Sequence, residues 1–276
     1  MRLVDESVGE ANLIMPPRIA IPMPHSGDRE YAERAIPQYE RAIEQAGGAP
    51  VRIALDQTPA EVMQIIGRCD GVLLPGSNAD VDPAKFGAPR SPRTAAADSV
   101  RDTVDELLLQ DAYSLRKPVL GICYGLQTLN VYRSGSLIQH IPDFLPEELR
   151  TRVDHEAGKT VAVAHTVKIE GDSKLAKIVA GKEREGDEIV VPVNSSHHQS
   201  AGTIGNDLRI AARCFDDGIV EALEGTAPDH FVLAVQWHPE RSVDQDESSR
   251  AIFRALVETA ETRHKELMSS KARNQM

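Results

Sequence analysis

The feature that most constrains the fold is an alternation of short apolar segments with amphipathic helical segments over the first 123 residues. The apolar segments are five to seven residues long, and their β-branched, apolar character is typical of strands buried on both faces. Because parallel strands need crossover helices, the pattern predicts a parallel sheet covered by helices on both faces. The strands are predicted at 18–23, 51–55, 71–75 and 117–123, and the helices at 28–46, 58–67 and 102–115.

Beyond residue 151 the pattern changes to strand-like runs with no helices between them, which is typical of antiparallel hairpins. We therefore expect an α/β fold: a three-layer sandwich with a mainly parallel central sheet flanked by helices and a smaller antiparallel strand region. Residues 76–100 hold three prolines and two glycines and predict a long loop, which is often functional. The later runs are 159–170, 188–195, 208–214, 219–225 and 231–237, followed by a helix at 247–267.

The charge balance excludes several classes of partner. The chain has 31 Lys+Arg against 42 Asp+Glu, a net charge of -11 and 4% aromatic residues, which disfavours nucleic-acid binding and anionic membranes. No run approaches the roughly 18 apolar residues of a membrane helix, and the first residues lack a basic segment followed by an apolar one. We therefore expect a cytoplasmic location with neither nucleic-acid nor membrane partners.

Three widely spaced cysteines fit neither a disulfide framework nor paired zinc ligands. We expect reduced thiols, with Cys69 and Cys214 as small buried apolar residues. Cys123 differs because it lies in PVLGICYGLQTLN, residues 118–130, between Gly121 and Gly125. That segment matches a nucleophile elbow, a tight strand-to-helix turn, with Cys in place of Ser. The thiol is then expected at the end of a strand, beside a helix N-terminus that favours a thiolate.

A second motif, AVQWHPE at residues 234–240, places His238 two positions before Glu240 at the end of a predicted strand. Side chains two apart on an extended chain point the same way. The carboxylate can then hold one imidazole nitrogen while the other faces a thiol. The two motifs together predict a Cys-His-Glu triad with Cys123 as its nucleophile, which is far more specific than either motif alone.

The chain resembles the class I glutamine amidotransferase superfamily, and within it the γ-glutamyl hydrolase branch (peptidase family C26), most closely the bacterial γ-glutamyl-γ-aminobutyrate hydrolases of putrescine breakdown. The resemblance implies a flavodoxin-like α/β fold, and it is carried by LPGSNADVDPAKFG, RDTVDELLL with KPVLGICYGLQTLN, SGSLIQHIP, and NSSHHQS with AVQWHPE. These stretches are in family order and span most of residues 18–257. Because the two halves of the triad lie far apart in the chain, we expect a single domain at 17–262, after a loose leader at 1–16 and before a charged tail at 263–276.

The resemblance also assigns roles. Cys123 would be the nucleophile, His238 the base and then the acid, and Glu240 the carboxylate that orients it. Backbone N–H groups of Gly76 and Tyr124 would hold the oxyanion. The residues that resemble the parts gripping the glutamyl α-amino and α-carboxylate groups are Gln127, Ser196 and His197.

The expected activity is hydrolysis of the γ-glutamyl amide of a small amine, with release of glutamate and no cofactor. The chain departs from the family pattern at Tyr124, where the putrescine-pathway hydrolases usually carry Arg, and at Ser134, where they carry Gly. Tyr124 keeps open an alternative, a glutaminase subunit that supplies ammonia to a separate synthetase partner. A non-catalytic binding module on the same fold is disfavoured by the intact triad, and a homodimer stays open.

Two other groups of residues need an interpretation. His197 and His198, with His155 and His165 upstream, suggest a metal, but neighbouring residues on a strand face opposite ways and no carboxylate has ligand spacing. We therefore predict no metal site. The pair Arg101-Asp102 is either an ion-paired helix start or part of the site's lining.

Overall fold

The structure is a computed structural model that describes residues 15–179, 184–185 and 188–274. The strands are β1 (Arg18–Pro22), β2 (Ala49–Ile53), β3 (Gly71–Leu74), β4 (Val119–Ile122), β5 (Leu137–Ile138), β6 (His165–Ile169), β7 (Arg184–Glu185), β8 (Glu188–Val193), β9 (Ser200–Ala201), β10 (Leu208–Cys214), β11 (Val220–Gly225) and β12 (Val232–Val235). The α-helices are α1 (Arg29–Gln45), α2 (Pro59–Ile66), α3 (Ser99–Leu115), α4 (Tyr124–Tyr132), α5 (Ile141–Phe144), α6 (Lys174–Ile178) and α7 (Glu247–Asn274). Single 3-10 turns occur at Pro83–Phe86, Ala157–Lys159 and Pro239–Arg241.

One sheet of ten described strands runs through the molecule in the order β2-β1-β3-β4-β12-β11-β10-β6-β8-β7. The first five strands in that order are mutually parallel, and every later neighbour is antiparallel. The predicted α/β fold is confirmed, and the antiparallel strands continue the parallel sheet instead of forming a sheet of their own. β5 and β9 pair separately.

Successive side chains of the central strands point to opposite faces of the sheet and pack in two hydrophobic cores, one on each face. On β1, Ile19 and Ile21 pack in the core covered by α1 and α7, whereas Ala20 packs in the core covered by α2, α3 and α4. β12 repeats this alternation, with Leu233 and Val235 on the first face. The result is the predicted three-layer arrangement, because both faces of these strands are apolar.

The predicted helix starts are largely as expected. Thr58 caps α2 in a capping box with Glu61, and Pro59 is the first helical residue. The 76–100 segment is a loop with one 3-10 turn, and it is tied down by side chains. Gln139 accepts hydrogen bonds from Ser91 and Thr94 at 2.8 and 2.7 Å.

Several elements differ from the prediction, and one is the short helix α6, which lies between the strands expected at 159–170 and 188–195. β6 begins only at His165, because residues 157–159 form a 3-10 turn instead of the start of a strand. α7 continues to Asn274, so residues 263–274 are helical where we predict a tail. Arg263 donates to the carbonyl of Leu115 at 3.0 Å and His264 lies 2.8 Å from Asp70, contacts that attach this part of the helix to the sheet domain.

The leader expected at 1–16 lies, apart from residues 15 and 16, outside the described residues, as do residues 275–276. None of the helices in the described part of the chain contains a stretch long and apolar enough to cross a lipid bilayer.

Candidate active site

Three neighbouring parallel strands deliver the predicted catalytic groups to one edge of the sheet. β3 pairs with β4 and β4 pairs with β12, all in parallel. Gly76, Cys123 and His238 each follow the carboxyl end of one of these strands. Ligands bind at this edge in open α/β sheets because loops from adjacent strand ends converge there.

Cys123 has the backbone of a nucleophile elbow. Its φ is 53° and its ψ is -103°, a backbone conformation that residues other than glycine rarely adopt. The residue joins the end of β4 to the first turn of α4, and its N–H donates to the carbonyl of Val235 at 2.8 Å. The thiol therefore stands at a helix N-terminus, as the sequence predicts.

The two glycines of the motif are required by backbone contacts. A Cβ on Gly125 would lie 2.2 Å from the carbonyl oxygen of Leu74, and one on Gly121 would lie 2.8 Å from that of Gly125. Neither contact can be relieved by a side-chain rotation, since the obstacles are backbone atoms. α4 is thus packed directly onto β3 and β4, which fixes the orientation of the turn.

His238 and Glu240 form the expected pair. Nδ1 of His238 lies 2.7 Å from Oε1 of Glu240, and both side chains are buried. The ring also approaches the other strand ends: a Cβ on Gly76 would lie 2.9 Å from Cε1 of His238 and 3.6 Å from Cβ of Cys123. The three strand ends therefore surround one small volume.

Electrostatics in this volume favour a charged imidazole. Burial alone would lower the pKa of His238, but the charges of Glu240 and Cys123, and the hydrogen bonds to both, raise it to about 9. Burial alone would raise the pKa of Glu240, but the charge of His238 outweighs this effect. The pKa of the carboxyl is therefore lowered. An imidazolium beside a thiol is the arrangement that stabilises a thiolate.

Asn194 supports His238, and the sequence motifs do not single it out. Its side chain accepts from the N–H of His238 and donates to the carbonyl of the same residue, both at 2.9 Å. The backbone of His238 is therefore held on both sides. The residue lies in the NSSHHQS stretch, but nothing in its spacing from residue 238 indicates the contact.

Gly76 is placed as predicted, but its N–H already has a partner. It donates to the hydroxyl of Tyr39, 3.1 Å away, in a fully buried position. The N–H of Tyr124, by contrast, is at the first position of α4, where a helix leaves its N–H groups without intrahelical acceptors. Tyr39 thus competes with an oxyanion for one of the two predicted donors.

Arg101, predicted either to form an ion pair at a helix start or to line the site, forms an ion pair in the first turn of α3. Its guanidinium is completely buried and binds Asp105 at 2.7 Å, not its neighbour Asp102. It also donates to the carbonyls of Pro75 and Pro24 at 2.9 and 3.0 Å. Arg101 does not line the catalytic cavity. Its contact with the carbonyl of Pro75 stabilises the turn that contains Gly76.

The side chain of Tyr124 points away from the cavity. It is 1% exposed and its hydroxyl hydrogen-bonds Asp102, which also pairs with Lys85 at 3.1 Å. Burial, followed by the charges of Asp102 and Asp105, raises its pKa well above the ordinary value. The departure from the family pattern at this position therefore lies outside the cavity wall.

A cavity of about 410 Å³ opens in front of Cys123. Its lining includes cationic, anionic, amide and hydroxyl side chains beside Cys123 and His238. It is lined by Tyr31, Arg34, Ser77, Asn78, Ala79, Asp80, Cys123, Gln127, Glu156, Lys159, Ser196, His197, His198, Gln199, His238 and Arg241.

The three residues predicted to bind a glutamyl group all line this cavity, but their side chains differ in availability. The amide nitrogen of Gln127 makes two long hydrogen bonds, to the carbonyl of Gln199 at 3.3 Å and to Oε1 of Gln236 at 3.4 Å. Ser196 is partly exposed. Both ring nitrogens of His197 face protein groups, Nδ1 the carbonyl of Gln199 at 2.8 Å and Nε2 Glu221 at 3.2 Å, so a ligand can reach this residue only through its backbone or ring carbons.

No carboxylate has ligand spacing to these histidines in the sequence, but the fold brings one to them. Glu221 on β11 lies among His155, His165 and His197, with ligand atoms all within 4.8 Å of one another. Antiparallel pairing brings β11 beside β10 and β10 beside β6, a proximity that linear spacing does not reveal.

Two relatives are similar to most of the chain. The chain is 32% identical over 252 residues to the gamma-glutamyl-gamma-aminobutyrate hydrolase of Escherichia coli strain K12, covering 89% of this chain and 94% of that one. It is 34% identical over 257 residues to a glutamine amidotransferase-like protein of Rickettsia prowazekii, covering 80% and 87%.

Solved structures show the same fold at low identity. A Thermoplasma acidophilum protein named for a component of GMP synthase matches with a TM-score of 0.58 and 16% identity, over 92% of this chain and 98% of that one. The PurLQS structure of Thermotoga maritima matches with a TM-score of 0.54 and 17% identity, over 88% and 99%. The peptidase C26 profile matches residues 20–240, and the chain therefore belongs to the peptidase C26 family of hydrolases.

Proposed function

We propose that the protein is a cysteine hydrolase that cleaves the γ-glutamyl amide bond of a small γ-glutamyl amine and releases glutamate. The observation that carries the proposal is Cys123 at a positive φ, with the His238–Glu240 pair and the Gly76 turn gathered around it. Family membership sets the reaction class, and the E. coli relative named above suggests the substrate class.

Acylation would begin from a Cys123 thiolate beside a His238 imidazolium. The thiolate attacks the γ-carbonyl carbon, the tetrahedral intermediate collapses, and His238 gives its proton to the departing amine. The C–N bond breaks as a γ-glutamyl thioester forms. His238, now neutral, removes a proton from water, which attacks the thioester and releases glutamate and the thiol.

The oxyanion of both steps would be bound by the N–H of Tyr124 and, once it leaves Tyr39, by that of Gly76. A backbone donor of this kind typically supplies about 3 kcal/mol to the transition state. The positive end of α4 adds to the same field, because Tyr124 is its first residue.

The leaving group is proposed to carry a carboxylate. Arg34, Lys159 and Arg241 line the cavity and also border an adjoining space of about 360 Å³. Arg34 is 67% exposed and its carboxylate neighbour Glu30 is 3.7 Å away and 92% exposed, so the guanidinium is free to turn inward. An ω-amino acid such as γ-aminobutyrate would place its carboxylate among these cations.

These cationic side chains favour the hydrolase over the glutaminase alternative. The leaving group of glutamine is ammonia, which has no carboxylate to bind to them. Tyr124, which keeps the alternative open at the sequence level, has its side chain behind the cavity. All three cysteines are free thiols, and we propose a cytoplasmic location, where a nucleophilic thiol stays reduced.

The proposal is tested by following glutamate release from γ-glutamyl-γ-aminobutyrate, its uncharged analogue γ-glutamyl-butylamide, and glutamine. We expect the first to have a kcat/KM at least about tenfold above the second, the worth of one charge-assisted hydrogen bond. In Arg34→Met this preference should shrink, whereas it should persist in Arg68→Met, a matched exposed arginine outside the cavity.

Cys123→Ala provides the stricter control. It should abolish release from every substrate while leaving the thermal unfolding midpoint near that of the wild type. Equal glutamate release by Cys123→Ala and wild type would overturn the hydrolase. A wild-type enzyme that prefers glutamine as its substrate would instead favour the alternative, a glutaminase subunit that supplies ammonia to a synthetase.

A further inference from the structure

Behind the cavity wall, three buried histidines converge on one carboxylate oxygen. Nδ1 of His155, Nε2 of His165 and Nε2 of His197 lie 3.1, 3.3 and 3.2 Å from Oε1 of Glu221. Glu221 has no exposed surface, and each histidine is at least nine-tenths buried. We call these four residues the His3Glu cluster. None of them takes part in the proposed bond-breaking steps, although His197 lines the cavity.

The outer nitrogen of each ring is committed to a hydrogen-bond acceptor. Nε2 of His155 lies 2.8 Å from Oδ2 of Asp217. Nδ1 of His165 faces the carbonyl of Thr166 at 3.2 Å, and Nδ1 of His197 that of Gln199 at 2.8 Å. Carbonyl and carboxylate oxygens only accept, so each of these outer nitrogens carries a proton.

The inner nitrogen of any ring that is neutral then presents a lone pair to an oxygen that also has only lone pairs. His155 Nδ1 and His165 Nε2 make no hydrogen bond within the described residues. Such an arrangement needs a positive charge at its centre. Histidines that bind metals have this same pattern, with the second nitrogen donating to a carboxylate or a backbone carbonyl.

The three nitrogen distances to Oε1 of Glu221 are those expected around a tetrahedral ion. Zn²⁺ sits about 2.0–2.1 Å from nitrogen and oxygen ligands, which puts ligand atoms about 3.3 Å apart. The three measured edges to Oε1 lie within 0.2 Å of that value. The buried carboxylates Glu221 and Asp217 carry two negative charges, which one divalent cation neutralises.

From this geometry we infer that the His3Glu cluster is a binding site for a divalent transition-metal ion of the Zn²⁺ class. Four protein ligands close the site, which is typical of structural zinc and not of catalytic zinc. A cavity of about 140 Å³ bordered by His155 and His197 offers a path for the ion.

The ion would hold together the wall of the catalytic cavity that faces the nucleophile. His155 precedes the turn that carries Glu156 and Lys159, and His197 is adjacent to Ser196 and His198, all of which line the cavity. Cross-linking these two segments to β6 and β11 fixes their distance from Cys123.

The test is metal binding by the full chain. Protein purified from zinc-supplemented cells should contain about one zinc per chain by mass spectrometry. After chelation, Co²⁺ should bind one-to-one and give the visible absorption bands of tetrahedral Co²⁺ with nitrogen and oxygen ligands. Glu221→Gln and His165→Asn should abolish these bands, and Asp217→Asn should weaken affinity roughly 10- to 100-fold.

His198→Asn, at the histidine adjacent to the cluster, is the matched control and should bind Co²⁺ like the wild type. The inference is overturned if wild-type protein holds no metal and shows no Co²⁺ bands, or if thiolate charge-transfer bands assign the ion to Cys214 instead. Wild-type metal content decides the question even if a cluster variant does not fold.

Discussion

The two walls of the catalytic cavity are built in different ways. The wall with Gly76, Cys123 and His238 consists of the ends of three adjacent parallel strands. The opposite wall, with segments 154–159 and 194–199, is attached to antiparallel strands through buried polar side chains. We propose that the first wall supplies chemistry and the second supplies shape, so substitutions in the two should have separable effects on kcat and KM.

The largest expected effect is at the carboxylate of the first wall. Glu240→Gln should lower kcat roughly 10³- to 10⁴-fold, as removal of the orienting carboxylate does in serine hydrolases. In the wild type, activity should fall as pH rises through about 9, where His238 loses its proton. The variant's alkaline limb should move to lower pH, because the neighbouring negative charge that raises this pKa is gone.

A matched control for that profile is Glu247→Gln, at an exposed carboxylate in α7, where kcat and the pH limb should stay unchanged. A Glu240→Gln enzyme with wild-type kcat, or with an unmoved alkaline limb, would show that Glu240 does not orient or charge the base of the first wall.

The next largest effect is expected at the buried Arg101–Asp105 ion pair, which lies next to the first wall. Arg101→Met leaves Asp105 buried without its partner, and we expect the free energy of unfolding to fall by about 3–5 kcal/mol. Adding Asp105→Leu should restore most of it, since a buried pair is replaceable by apolar residues. Urea unfolding monitored by circular dichroism measures both. No recovery in the double variant would mean that the carbonyl contacts to Pro75 and Pro24, not the ion pair, dominate.

Asn194 tests whether the two walls are independent. Its side chain comes from the second wall and holds the backbone of His238. Asn194→Ala should lower kcat about 10- to 100-fold and reduce the unfolding free energy by about 1–3 kcal/mol, the cost of unsatisfied buried groups. Steady-state kinetics beside the exposed Asn206→Ala control measures this. A change in KM alone would show that the link is not used.

The smallest effect is expected at Tyr124. Tyr124→Phe removes only the hydroxyl bound to Asp102, behind the cavity, so we expect kcat/KM and substrate preference to change less than about threefold. Competition between γ-glutamyl-γ-aminobutyrate and glutamine is the measurement. A shift of preference toward either substrate would show that this side chain influences the leaving-group space after all.

The same contrast explains what the sequence could predict. Strand ends with glycines, such as Gly121 and Gly125 around Cys123, carry their geometry in a few adjacent residues, so the elbow was predictable. The partners of Glu221 come from three distant segments, and Asn194 reaches His238 across 44 positions. No local pattern encodes such contacts, because they depend on which strands become neighbours. The helical extension to Asn274 is also unexpected, since its charged residues resemble a solvated tail.

The central claim, that Cys123 forms a γ-glutamyl thioester, is tested most directly by mixing enzyme with γ-glutamyl-γ-aminobutyrate, quenching in acid within milliseconds and analysing the protein by mass spectrometry. We expect a mass increase of one γ-glutamyl group, mapped to the peptide that contains Cys123 and absent from Cys123→Ala. Turnover without any adduct on that peptide, or an adduct on another residue, would contradict it.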